Sequence, residues 1–325
     1  MGLRRWLQKK GLRANNCYHT HSNIAYVNWR SLPFGKLDPE KEWFTLFLEK
    51  VNPKRKLVFY SLFGERAYIE RKLKNKNDSI NIFYTQENVA KETIIPRHYE
   101  QYHDYLIDMM DLSMGFDYLD AEKYLRFPYW IQTLIPPQAT FEDITDIINE
   151  INSFESSVID NKRYDCSVIA SHDHSGNRAK AFGLLSSFMN INSDGAWNKN
   201  SSLLSEKYNN DKVEYLKFCK FNLAFENSNS KGYVTEKIFD AFMGKTIPIY
   251  WGGAGEVESD IIEPGSFISY QEDDLDKLLL EVEDLYTHPS RYRDFLAQKK
   301  IKAGAPEIIY EKITKFENRI SDLLS

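Results

Sequence analysis

The feature that most constrains this chain is an alternation. Short apolar runs rich in β-branched and aromatic residues recur along its length, separated by stretches whose apolar residues follow helical spacing. Runs at Ile24–Trp29, Leu57–Phe63, Ile80–Tyr84, Met114–Tyr118, Cys166–Ser171, Phe221–Phe225, Thr246–Trp251 and Ser266–Tyr270 read as strands. Glu40–Val51, Arg178–Met189, Glu236–Met243, Asp274–Tyr286 and Ile308–Leu324 read as helices. Strands parted by helices imply βαβ units and parallel sheets, hence an α/β fold. At 325 residues the chain is long enough for two such domains. Thr133–Asp160 reads as a connector, with Pro136 and Pro137, a helical middle and a polar end, which places the boundary near residue 155. Two α/β domains facing each other would leave a cleft, a common place for ligands.

Charge and cysteine usage narrow the function. A net charge of −5 supplies no phosphate-neutralising surface and argues against nucleic acid as the main partner. Cys17, Cys166 and Cys219 are odd in number and far apart, so no disulfide framework or zinc spacing is visible, and a reducing compartment is favoured. No apolar run is long enough to span a bilayer, and the start does not read as a signal peptide. The start carries Arg4, Arg5, Lys9, Lys10 and Arg13 around Trp6 and Leu7, which reads as a solvated end or as a peripheral contact with an anionic membrane. His172-Asp173-His174 looks metal-like but lacks a convergent partner cluster. The acidic run Glu272–Asp274 sits where a helix should start, a position that favours carboxylates without any metal.

The densest chemical signal is Phe221–Gly253, FNLAFENSNSKGYVTEKIFDAFMGKTIPIYWGG. An apolar strand runs into a polar turn, and a helix follows with Thr235 at its N-cap, its hydroxyl expected to accept a first-turn N–H. A helix start suits a phosphate. Lys237, in that first turn, has the wrong sign for the helix dipole, and a cation there is better explained by a bound anion. Glu236 is expected to face sugar or ribose hydroxyls. On the residues alone, both also read as the surface of an amphipathic helix. Pro248 within the next run argues against a central strand.

This segment resembles the donor-binding motif of the α-1,3/4-fucosyltransferase family, in which a FEN strand end precedes a YVTEK helix. Phe225, Glu226 and Asn227, then Tyr233 to Lys237, carry the match, and IPIYWG continues it. IFYTQENV (Ile82–Val89), GFDYLDAEKYLRFPYW (Gly115–Trp130) and the Asn-Arg pair in SHDHSGNRAKA (Ser171–Ala181) resemble further blocks of bacterial members.

The resemblance implies a GT-B architecture of two Rossmann-like domains facing a central cleft, with residues 1–155 binding acceptor and 156–325 binding the GDP-sugar. It implies inverting transfer from GDP-fucose to the 3-hydroxyl of N-acetylglucosamine in an N-acetyllactosamine-like glycan. It places the general base at Glu87 and donor contacts at Arg178, Asn227, Tyr233, Glu236 and Lys237. Without the resemblance, Glu87 reads as a capping or surface carboxylate, Arg178 as a helix-surface residue and Tyr233 as a core tyrosine. No cofactor or metal is expected, and a bacterial cytoplasmic enzyme is implied, either free or peripheral on the inner face of the membrane. The rivals are the same fold with another donor or acceptor sugar, or an inactive glycan- or nucleotide-binding protein.

Overall fold

The computed structural model describes residues 18–21, 23–29, 37–74, 78–90 and 99–325. The basic start (Arg4 to Arg13) and Cys17 lie outside the described residues. Among the described residues, no helix is long and apolar enough to cross a membrane. The chain forms two compact units, one of residues 1–139 with 311–325 and the other of residues 140–310.

The first unit holds a sheet of β1 (Tyr18–His21), β2 (Ile24–Val27), β3 (Lys56–Tyr60), β4 (Ser79–Tyr84), β5 (Leu112–Gly115) and β6 (Tyr124–Arg126), in that order. The β1–β2 pair is antiparallel and the other pairs are parallel. The apolar residues of KLVFY and SINIFY are buried because a parallel sheet is covered on both faces. Helix α1 (Trp43–Leu48) brings Phe44 onto Phe59, ring centroids 4.6 Å apart. From the last helix (Ala305–Leu324), Phe316 packs against Phe44 and Phe47, each at 5.3 Å, and against Phe127 at 5.4 Å. These rings are fully or almost fully buried, which explains why the final fifteen residues belong to the first unit.

The second unit holds β7 (Tyr164–Ile169), β8 (Ile191–Asp194), β9 (Cys219–Phe225), β10 (Ile247–Trp251) and β11 (Ile268–Ser269), all parallel, in the order β11-β10-β9-β7-β8. From β7 the chain steps to β8 on one side and then returns to β9 on the other. The carboxyl ends of β7 and β9 therefore flank a topological switch point, where open α/β sheets bind ligands. Pro248 does sit in an interior strand. However, β11 pairs only with Ile249 and Tyr250, so Pro248 has a ladder neighbour on the β9 side alone. A missing N–H need cost no ladder bond there.

The division falls between Ala139 and Thr140 rather than near residue 155. The helical middle of the expected connector is an ordered element, α2 (Phe141–Asn152), opened by a reciprocal capping box of Thr140 and Asp143. Its Ile144, Ile148 and Ile151 are buried, and the Asn152 side chain bonds the backbone of Lys300 and Ile301. Those ties bind α2 to the second unit.

Thr140→Ala is expected to lower stability by about 1 kcal/mol with the fold kept. Phe316→Ala should cost about 3–5 kcal/mol, because ring packing is lost in a closed core. Chemical denaturation followed by tryptophan fluorescence checks both, and equal midpoints for the two variants would contradict this ranking.

Candidate active site

The loops at the switch point converge on one buried carboxylate. At the end of β9, Glu226 is fully buried and its backbone N–H donates to Trp251 O at 2.8 Å, extending the ladder by one residue. Its Oε1 accepts from Thr235 N at 2.7 Å and Tyr250 OH at 3.1 Å. Its Oε2 accepts from Thr235 Oγ1 at 2.7 Å and Lys237 Nζ at 2.9 Å. The WGG turn makes room for it: a Cβ on Gly252 would lie 2.5 Å from Glu226 Cγ and 2.8 Å from Tyr250 Oη. Only glycine fits there.

This arrangement corrects the expectation for Thr235. It does sit at the N-cap of helix α4 (Glu236–Met243; the Asn177–Leu185 helix is α3), but its side chain caps no helix N–H. The hydroxyl donates to Glu226 and accepts from Lys237 Nζ at 2.8 Å, because a charged ammonium is a stronger donor than a backbone N–H. For Lys237 the structure adds a partner that the sequence did not point to. One anion beside this first-turn cation comes from the protein itself, Glu226. Burial works against the Lys237 charge, but Glu226 and then Glu236 overcome it and hold the ammonium above its ordinary value. Glu236 Oε1 lies 3.3 Å from Lys212 Nζ and 3.8 Å from Lys237 Nζ. Burial would raise that carboxyl, yet Lys237 and Lys212 bring it down to about 2. One turn on, burial and then Glu236 push Asp240 up to about 7.

Arg178, in the first turn of α3, is buried and ties the loop after β7 to the end of β9. Nη1 donates to His172 O at 2.7 Å; Nη2 reaches Phe225 O at 2.5 Å, Glu226 O at 3.1 Å and Asn227 Oδ1 at 3.3 Å. Instead of an open fork on a helix surface, the guanidinium is a staple between two strand ends. Burial pulls it below its ordinary value, opposed by Asp173 and Glu226. The amino end of α3 already faces an anion, for Asp173 accepts from Gly176 N at 3.1 Å and Ala179 N at 2.9 Å. Beside it, the His172 and His174 rings stack at 4.2 Å. Burial, then His174, Arg178 and Lys237, hold His172 down to about 4, so it is neutral at pH 7.

Arg178, Asn227, Glu236 and Lys237 are thus gathered around Glu226, with Tyr233 buried close by. Glu87 belongs to the first unit. It follows β4, half-buried, in a turn fixed by Thr85, whose Oγ1 donates to Glu87 O at 2.6 Å and accepts from Glu87 N at 3.1 Å. Among the described residues, no group of three or more His, Cys, Asp or Glu is placed to hold a metal. Glu272 instead accepts from Asn177 Nδ2 at 2.7 Å, and Asp274 caps the helix Leu275–Thr287. Sequence reasoning missed the roles of Glu226, Tyr250 and Gly252. The available signal was a strand-terminal glutamate followed, eleven residues on, by a lysine in want of an anion.

Two family models match the chain: glycosyltransferase family 10 (fucosyltransferase) C-term over residues 159–317, and alpha-(1,3)-fucosyltransferase FucT N-terminal domain over residues 37–133. Alpha-(1,3)-fucosyltransferase FucT of Helicobacter pylori is 27% identical over 266 residues, covering 74% of this chain and 51% of that protein. Human 4-galactosyl-N-acetylglucosaminide 3-alpha-L-fucosyltransferase 9 is 30% identical over 138 residues, covering 41% and 36% respectively. The chain thus spans about half or less of the length of these curated relatives. Among solved structures, an alpha1,3-fucosyltransferase with GDP-fucose superposes with a TM-score of 0.54 at 23% identity, covering 84% of this chain and 79% of that one. Staphylococcus aureus TarM superposes with a TM-score of 0.50 at 11% identity, covering 86% and 58%, which extends the likeness in fold. With its GT-B fold and its match to both halves of the family, the chain belongs to the glycosyltransferase family 10 fucosyltransferases.

Proposed function

We propose that this chain is an inverting α-1,3-fucosyltransferase that moves L-fucose from GDP-β-L-fucose to the 3-hydroxyl of N-acetylglucosamine in a galactoside-containing glycan. The observation that carries this reading is the Glu226–Lys237 pair. It fixes a cation at a helix amino end, at the switch point of the second unit's sheet, within the segment matched by the family's C-terminal model. The relatives' names supply the reaction: one is an alpha-(1,3)-fucosyltransferase, and a structural neighbour was crystallised with GDP-fucose.

On this reading the second unit binds the donor and the first unit the acceptor. The acceptor hydroxyl oxygen attacks the anomeric carbon from the face opposite the nucleotide, giving an α-linked product. As that C–O bond forms, the bond to the β-phosphate oxygen breaks and its electron pair leaves with GDP. Lys237 and the first turn of α4 stabilise the departing charge. Arg178 keeps the two strand ends in register around it, and half-buried Asn227 is left to contact the donor, whereas Tyr233, withdrawn into the core, supports the site from behind. Glu87 takes the hydroxyl proton. Diphosphate is a good leaving group, so no separate acid is required.

Labelled GDP-fucose with a panel of acceptors, N-acetyllactosamine among them, tests the assignment. Glu87→Gln is expected to lower turnover by about 10²–10⁴-fold while GDP affinity persists; unchanged turnover would remove Glu87 from the role. Lys237→Gln should lower kcat/KM by about 10²–10³-fold and weaken GDP binding, read by titration calorimetry. GDP binding by the wild-type chain without transfer to any acceptor would instead favour a nucleotide-binding protein.

A further inference from the structure

We infer that Glu226 is a positioning residue for the donor diphosphate: it holds the Lys237 ammonium in place and in its charged form without itself meeting the ligand. This rests on the reading of the second unit as the donor-binding unit.

Two observations separate that role from catalysis. Glu226 is fully buried, and each carboxylate oxygen already accepts two donors: Thr235 N and Tyr250 OH on one, Thr235 Oγ1 and Lys237 Nζ on the other. With two donors on each oxygen and no exposure, it has no acceptor position turned to a substrate. An ammonium carries three N–H groups, and those of Lys237 are directed at Glu226 Oε2 at 2.9 Å and Thr235 Oγ1 at 2.8 Å. Glu236 Oε1, at 3.8 Å, is beyond hydrogen-bond range. The third N–H is therefore the donor left for a ligand, and its direction is set by the two that are engaged.

The charge depends on the same contact. The groups acting on Lys237 are Glu226 from the end of β9, Glu236 and Asp240 from its own helix, Arg178 from α3 and His172 from the loop before it; Lys212 acts indirectly, through Glu236. Burial, Arg178 and His172 offer the ammonium nothing or oppose it. Glu226 is the main favourable partner. Making Glu226 neutral leaves a buried cation with Glu236, already shared with Lys212, and the ammonium should then lose its proton at a lower pH.

Two measurements test this. The first is pH-dependent acetylation by acetic anhydride, read residue by residue by mass spectrometry, since only the neutral amine reacts. In the wild type, the pH midpoint for labelling Lys237 is expected above that of exposed Lys231. In Glu226→Gln it should fall below, with Lys237 labelled about tenfold or more faster at mildly alkaline pH, and Glu226→Asp should restore slow labelling. A wild-type midpoint at or below that of Lys231 overturns the inference and needs no variant to fold. So does equal labelling of Lys237 in folded wild type and Glu226→Gln.

The second measurement is GDP affinity against pH. Titration of Asp240, at about 7, and of the nucleotide's terminal phosphate is common to both proteins, so the difference is read: from neutral to mildly alkaline pH, Glu226→Gln should lose about tenfold more GDP affinity than the wild type as its Lys237 discharges. A pH-independent loss accompanied by a lower melting temperature would mark Glu226 as a structural staple only and overturn the inference. If the wild type binds no GDP at all, the donor-site reading fails, and the labelling result still reports separately on how Lys237 is held.

Discussion

A carboxylate fully withdrawn from water is the constraint around which the second unit's site is organised. Left alone, such a group would cost several kcal/mol. Glu226 is tolerable only because two donors meet each of its oxygens. Those donors come from separate places: the backbone and hydroxyl of Thr235, the ammonium of Lys237, and the phenol of Tyr250 on the neighbouring strand. One buried charge thereby fixes the end of β9, the end of β10 and the start of α4 relative to one another. The WGG turn follows from the same demand, because any side chain on Gly252 would occupy the space that the carboxylate needs. A helix that happened to begin elsewhere would leave the glutamate with Tyr250 as its side-chain donor and no cation.

The fold was legible where burial dominates. Ile80–Tyr84 and Glu236–Met243 were read almost as they stand, since an apolar run between polar turns and an apolar helix face both report a covered surface. It was illegible where neighbours rather than composition make the element. β8 reads INSD, with no β-forming character beyond its first residue. It is an edge strand paired to β7 on one side. On the other side the Asn200 side chain takes the place of a strand, accepting from Ser193 N at 2.7 Å and donating to Ile191 O at 2.9 Å. A side chain seven residues away is invisible to any window of periodicity. The boundary near residue 155 failed for a related reason. Prolines and polar residues suggested a linker, whereas α2 has a capped start and a row of buried isoleucines that only its packing partners reveal.

The site followed the same division. That Lys237 sits badly at a helix start without an anion was readable from the sequence, and the physical inference was sound. Which anion was not, because Glu226 precedes it by eleven residues on a different element, and only the turn between them brings the two within 2.9 Å. Thr235 was assigned its most common local use, and tertiary structure gave it another. Arg178 reads as exposed on helix logic, yet the switch in strand order lays the end of β9 across its guanidinium.

These pairings bear on how an acidic chain can grip a polyanion. Lys237 is matched by Glu226, Lys212 by Glu236, and the amino end of α3 by Asp173, while burial and then neighbouring cations keep His172 neutral. The cluster is therefore close to charge balance. On the proposed function, a net positive field is not what would draw a diphosphate, and a chain carrying −5 has none to spare. What the cluster offers is direction: an ammonium with two of its donors occupied and the third aimed, beside a helix amino end whose cap residue is turned toward Glu226 instead of across the first turn. Groups fixed in this way need no reorganisation when charge develops on a leaving oxygen, which is where preorganised donors contribute most. In this arrangement the internal carboxylates would not compete with such a ligand; they hold the cations in a position that mutual repulsion and burial would otherwise forbid.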